Sequence, residues 1–211
     1  FLKTIRPGTF ILLFTLFIPV MAGAQVTEAD SLLLQQQATR LIAEGNYASA
    51  HLLLEDYLQK AGMKPFFTCM MVENGLTHYY RQENYQFFLL KDQDSPDYSK
   101  SSQNVRIGRL RYPRRILENL LNQYPEHART YKLLGDFYNL QLADISNFDF
   151  IREDKVKKLE EKIYTYYNQA IKLGYKDTRV FRWMGDYLAD NKQMDEAEKY
   201  YLKNVTPGAA D

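Results

Sequence analysis

The sequence predicts an all-α protein: an α-solenoid of antiparallel helical hairpins, about four of them. Three observations carry this. Gly (10) and Pro (7) are few in a chain of 211 residues, which leaves little turn chemistry for a β fold. Apolar residues recur at three- and four-residue spacing over long stretches, the period of a helix with one buried face. Two such stretches, "KLLGDFYNLQ" at 132–141 and "RWMGDYLADN" at 182–191, repeat an apolar residue, then Gly-Asp, then an aromatic. Gly inside a helix costs about 1 kcal/mol relative to Ala. Its return in the same setting calls for a packing reason.

Residues 1–24 stand apart from the fold. Lys3 and Arg6 open the segment, residues 9–20 form an almost uncharged apolar run, and Ala22-Gly23-Ala24 supplies small residues before Gln25. These are the three parts of a secretory signal. The run is about a dozen residues, short of the ~20 that span a bilayer. A cleaved signal peptide is expected, with no stable membrane span afterwards. Loss of Lys3 and Arg6 takes the formal charge from +1 to −1. Gln after Ala resembles the signals of Gram-negative bacteria, which implies export to the periplasm or cell envelope.

Residues 25–90 read as N-terminal helical hairpins. "ATRLIAEGNYASAHLLLEDYLQKAG" sets Gly45 between two helices, with Tyr47, Ala50, Leu54 and Tyr57 spaced along the second. Residues 64–90 also read as helical. "KDQDSPDYSKSSQN", 91–104, is a polar loop. Its Asp92, Asp94 and Asp97 lack the Gly and terminal Glu of a calcium loop. Residues 105–206 return to helical hairpins. "RIGRLRYPRR", 106–115, reads as a charged helix start on a solvated face, and "RRILENLLNQY", 114–124, as a helix ended by Pro125. Tyr131, Leu134-Gly135 and Tyr138 mark the next helix, and 151–173 reads as one long helix with Ile163, Tyr167 and Ala170 inward. Phe181, Met184-Gly185 and Leu188 mark the last hairpin's first helix; Ala197, Tyr200 and Tyr201 mark its second. Residues 207–211 are a tail.

This pattern resembles the tetratricopeptide repeat (TPR). That family sets a bulky residue, an apolar residue with Gly, a large residue, then Ala and an aromatic, within about 34 residues. Phe181, Met184-Gly185, Leu188, Ala197 and Tyr201 match it, as do Tyr131, Leu134-Gly135 and Tyr138, with Pro125 as the preceding repeat's closing proline. The resemblance implies that the small residue lets two helices approach closely. The two Gly lie further apart than one period, which places the insertion of about 16 residues between the helices of the penultimate repeat. Residues 64–90 match poorly, because Met71 and Val72 stand where an apolar residue and Gly are expected.

Charge and motif content narrow the function. A formal charge of +1 argues against a nucleic-acid protein. A single cysteine, Cys69, in the apolar run "FFTCMMV", precludes a disulfide within the chain and has no His or cation beside it in sequence. His51, His78 and His127 have no metal-ligand spacing. No phosphate loop or nucleophile motif occurs. The reading is therefore a non-enzyme without cofactor or metal.

In TPR arrays the first helices line a concave groove. The resemblance implies groove-facing Arg129, Lys132, Asp136 and Asn139, then Arg179, Arg182, Asp186 and Asp190. Each cation pair is followed by Asp, which fits either i,i+4 ion pairs or a polar groove for an extended peptide. The function expected is a scaffold that binds a peptide or partner protein there. One alternative is a structural subunit of an envelope assembly, self-associating through its Tyr-rich C-terminal end. Another is an enzyme accessory domain binding glycan through tyrosines.

Overall fold

A computed structural model describes residues 28–93, 106–145 and 153–205. The expected signal peptide, most of the polar loop and the tail lie outside them. Among the described residues, eight helices and three strands follow in order: α1 (Glu28–Ala43), α2 (Tyr47–Ala61), α3 (Pro65–His78), β1 (Arg81–Glu83), β2 (Phe87–Lys91), β3 (Ile107–Arg111), α4 (Pro113–Gln123), α5 (Ala128–Ile145), α6 (Glu153–Lys172), α7 (Thr178–Asp190) and α8 (Met194–Val205). None of these helices is long and apolar enough to cross a membrane.

The helices form four hairpins, α1/α2, α3/α4, α5/α6 and α7/α8, and one apolar core runs through them from Leu34 to Met184. The solenoid of helical hairpins is as expected. Both long helices of the inserted repeat are present; α5 has 18 residues and α6 has 20, against 13 and 12 in α7 and α8. The insertion has extended both arms of that hairpin.

The glycines do what their recurrence suggests. A Cβ on Gly135 would lie 2.3 Å from the ring of Tyr167 on α6, and one on Gly185 would lie 2.5 Å from the ring of Tyr201 on α8. In each hairpin the tyrosine ring lies flush on the glycine. Its hydroxyl then donates to the next residue: Tyr167 to Asp136 at 2.8 Å, and Tyr201 to Asp186 at 2.9 Å. Gly-Asp on one helix and Tyr on the other thus form a two-part clasp. Glycine supplies the approach, and aspartate accepts from the phenol, which is buried at Tyr167 and exposed at Tyr201.

The second hairpin departs from the sequence reading. Residues 64–90 are not all helix, and 106–111 is not a helix start. Between α3 and α4 the chain forms an antiparallel sheet of order β1-β2-β3, pairing Phe88 with Leu110 and Leu90 with Gly108. "FFLL" is a short apolar run whose periodicity cannot separate strand from helix. "IGRLR" alternates strictly, with Gly108 and Leu110 buried and Ile107, Arg109 and Arg111 exposed. The sheet packs on α2 and α3. There Gly75 takes over the close-approach role: its Cβ would lie 2.3 Å from Leu110 of β3. Val72, at the expected glycine position, is fully buried against the helical core.

The sheet is also tied to the first repeat. Asp92 accepts from the Ser49 backbone N–H at 2.9 Å and its hydroxyl at 2.6 Å, in the first turn of α2. Asn46 at the helix start gives no side-chain cap, so Asp92 caps α2 from a distance in sequence.

Gly135→Ala should destabilise the protein, although Ala is the better helix former. Overpacking against Tyr167 outweighs the propensity gain, for a net loss of about 1–2 kcal/mol. Thermal denaturation should show a Tm about 2–8 °C lower; a rise would mean that the helices do not approach this closely. Tyr167→Phe should cost more than Tyr201→Phe in the same assay, because Tyr167 is 4% exposed and Tyr201 is 37% exposed.

Candidate partner-binding groove

The first helices of the four hairpins, α1, α3, α5 and α7, share one face. Two cavities open along it. One, of 330 Å³, is walled by Thr39 and Ile42 of α1, Met70 and Asn74 of α3, and Arg129. The other, of 320 Å³, is walled by Leu76 of α3, Asn139 and Leu140 of α5, and Val180 and Trp183 of α7. Glu73, Thr77 and Arg179 line both, so the two adjoin along this face.

A charge network forms the groove floor. Lys132 is only 3% exposed, and its ammonium lies 2.8 Å from Asp136, 3.2 Å from Glu73 and 4.0 Å from Asp177. Arg129 donates to the other oxygen of Glu73. Asp177 caps α7 by accepting from the Arg179 backbone N–H at 2.8 Å, and the Arg179 guanidinium reaches it at 3.3 Å. Three cations face three carboxylates. The carboxylates come from α3, α5 and the start of α7, so the network joins three successive hairpins.

Desolvation and pairing compete across the network. Burial favours the neutral form of Lys132, but Asp136 and Glu73 outweigh it and hold the ammonium above the ordinary lysine range. Burial would raise the Glu73 carboxyl, yet Arg129 and Lys132 hold it below its ordinary range. Asp177 is likewise held low, with Arg179 outweighing burial. Burial, then Asp136, pushes the Tyr167 phenol far up, so it remains a donor. An uncompensated buried ammonium would cost several kcal/mol, and this pairing offsets that cost.

Five of the eight expected groove residues, Arg129, Lys132, Asp136, Asn139 and Arg179, line the two cavities. Arg182, Asp186 and Asp190 are exposed on α7 outside these two cavities, and Asp186 receives the Tyr201 hydroxyl. The i,i+4 pairing is realised between Lys132 and Asp136. Sequence reasoning missed Glu73 and Asp177. Glu73 lies in the stretch that failed the repeat pattern, so no face was assigned to it. Asp177 carries a legible signal, a capping residue just before a helix. Trp183 was also missed. It stacks on Tyr187 at 5.3 Å and meets the edge of Tyr167 at 5.4 Å at one end of the groove.

Folding brings His127 to 3.8 Å from the Cys69 sulfur, with Thr130 at 3.5 Å. Burial nevertheless pushes the thiol pKa up, and Cys69 is fully buried. A protonated, inaccessible thiol is a poor nucleophile.

No protein-family model and no curated protein matches the chain. Among solved structures it is similar to a thermophilic TPR protein from Thermus thermophilus, with a TM-score of 0.53 at 12% identity over 82% of this chain and 72% of that one. It also aligns with MamA from Desulfovibrio magneticus, at a TM-score of 0.35 and 14% identity over 83% of this chain and 93% of that one. The first likeness establishes a TPR-like fold.

Glu73 and Asp177 are depressed on folding, so the stability they contribute is present above the ordinary carboxylate pKa of about 4. It is lost as pH falls through their lower folded values. Acid titration followed by thermal denaturation should show Tm dropping below about pH 4, and Glu73→Gln should flatten that drop. An unchanged acid limb in Glu73→Gln would remove Glu73 from the network.

Proposed function

We propose that the chain is a non-catalytic protein–protein interaction module that holds an extended peptide segment of a partner along this groove. The observation that carries the reading is that the two cavities adjoin and together draw their walls from four successive hairpins. A groove of that length suits an extended segment better than a compact small molecule. The TPR-like fold supports an interaction role in general.

Of the floor's charges, Arg129, Lys132, Glu73, Asp136 and Asp177 are buried or half-buried and engaged with one another, whereas Arg179 pairs with Asp177 yet stays open to solvent. Recognition therefore falls to the groups with free capacity: the Asn139 amide, the Trp183 ring and the exposed Arg179, whose side chain is 79% exposed. Arg179 and Arg182 favour a partner segment with acidic residues or a carboxylate. Capture of the partner from native envelope material, followed by titration, tests this. Reversing the charge at Arg179 and Arg182 should weaken binding at least tenfold, and added salt should weaken the native complex. Binding that survives both changes would reject the groove.

Export to the periplasm or envelope of a Gram-negative cell belongs to the same proposal, supported by the composition of residues 1–24. Protein recovered from such a compartment should begin at Gln25 on N-terminal sequencing. A chain that keeps residues 1–24 would count against it.

A second reading, a self-assembling structural subunit, is favoured by α8, where Met194 is 64% and Leu202 60% exposed beside Tyr201. A concentration-dependent mass in solution, abolished by Leu202→Glu, would support that reading over the groove.

A further inference from the structure

The segment "RIGRLRYPRR", 106–115, carries five arginines in ten residues of a chain whose formal charge is +1. The groove uses none of them. β3 turns Arg109 and Arg111 to the outer face of the sheet. The chain then passes through Tyr112, at φ 50°, into α4, which places Arg114 and Arg115 in the first helical turn.

A cavity of 430 Å³ opens at that corner. Its walls come from four places: the β1–β2 turn with Asn84 and Gln86, the start of α4, Gln141 and Phe137 of α5, and Lys162 of α6. The lining holds three cations, Arg114, Arg115 and Lys162, and, among the described residues, no carboxylate. Its volume falls in the range of about 300–1,000 Å³ usual for small-molecule sites.

The cations are held but not neutralised. Arg115 lies over the Tyr112 ring at 5.3 Å, and Lys162 lies over the Tyr138 ring at 4.7 Å. Among the described residues neither makes an ion pair. Arg114 gives part of its charge to Glu118, at 3.7 Å. Two arginines in the first turn of α4 also oppose the helix dipole, and that helix has no side-chain cap. An anion in the cavity would reverse the sign of this arrangement from unfavourable to favourable.

We propose that this cavity binds a phosphate group. Two unneutralised cations and a third partly neutralised one suit a multiply charged oxyanion. Arginine forks match phosphate oxygens, and the Asn84, Gln86 and Gln141 amides add neutral donors. The same chemistry is presented by a free phosphorylated small molecule and by an anionic lipid headgroup.

The test uses the full chain with two probes, inorganic pyrophosphate by calorimetry and vesicles of phosphatidylglycerol by sedimentation, with phosphatidylcholine as the neutral control. Pyrophosphate should bind with an affinity that falls as salt rises. The double variant R115Q/K162Q should bind at least tenfold more weakly, at an unchanged Tm, while K60Q, at the exposed end of α2, binds as the native chain does. If the natural source is lipid, phosphatidylglycerol vesicles also sediment the protein and pyrophosphate releases it. If the source is soluble, the vesicles do not, and pyrophosphate still binds. Absence of binding to both probes, or binding that R115Q/K162Q leaves unchanged, overturns the proposal.

Discussion

Lys132 is the constraint on which much of this structure depends. An ammonium 3% exposed to solvent is tolerable only when carboxylates converge on it. Here they arrive from three hairpins, Glu73 of α3, Asp136 of α5 and Asp177 at the start of α7. That demand adds fixed distances between repeats to the constraints that apolar packing already sets. In a quasi-one-dimensional solenoid, where each repeat touches mainly its neighbours, such a bracket links three repeats through one side chain. It also sets the chemistry of the groove, because charges engaged in holding repeats together are not available to a partner.

A similar coupling recurs within single hairpins. Tyr167 and Tyr201 each press a ring on a glycine and donate to the aspartate beside it. Asp136 belongs to both schemes. It accepts from Tyr167 within its own hairpin and pairs with Lys132 in the bracket between hairpins. Packing inside a repeat and stacking between repeats therefore meet at one carboxylate.

The last two hairpins were legible in the sequence because their signals are periodic and doubled. Gly135 and Gly185 recur in matching phase, and a recurring cost implies a recurring geometry. The role of Asp136 and Asp186 was present in the same pattern, as Gly-Asp on one helix matched by Tyr on the other, but a carboxylate on a helix reads equally well as a solvated or groove-facing charge. The sheet was not legible. "FFLLK" has no period of its own, and its partner β3 lies beyond a polar segment, so the pairing that defines both strands is a long-range fact. The inserted sheet also separated α3 from α4 and moved the close-approach glycine from Val72's position to Gly75. With the repeat phase lost there, Glu73 could not be placed on the groove, although it is a keystone of the bracket.

A double-mutant cycle between Glu73 and Lys132, read by denaturant unfolding, tests the central claim most directly. Glu73→Gln, Lys132→Met and the combined variant supply the four corners with the native chain. If the two side chains bracket the repeats, Lys132→Met costs about 2 kcal/mol or more, and the double variant is less destabilised than the sum of the singles by at least about 1 kcal/mol. Additive losses would mean that Glu73 and Lys132 do not hold one another, and the groove floor would then need a different account.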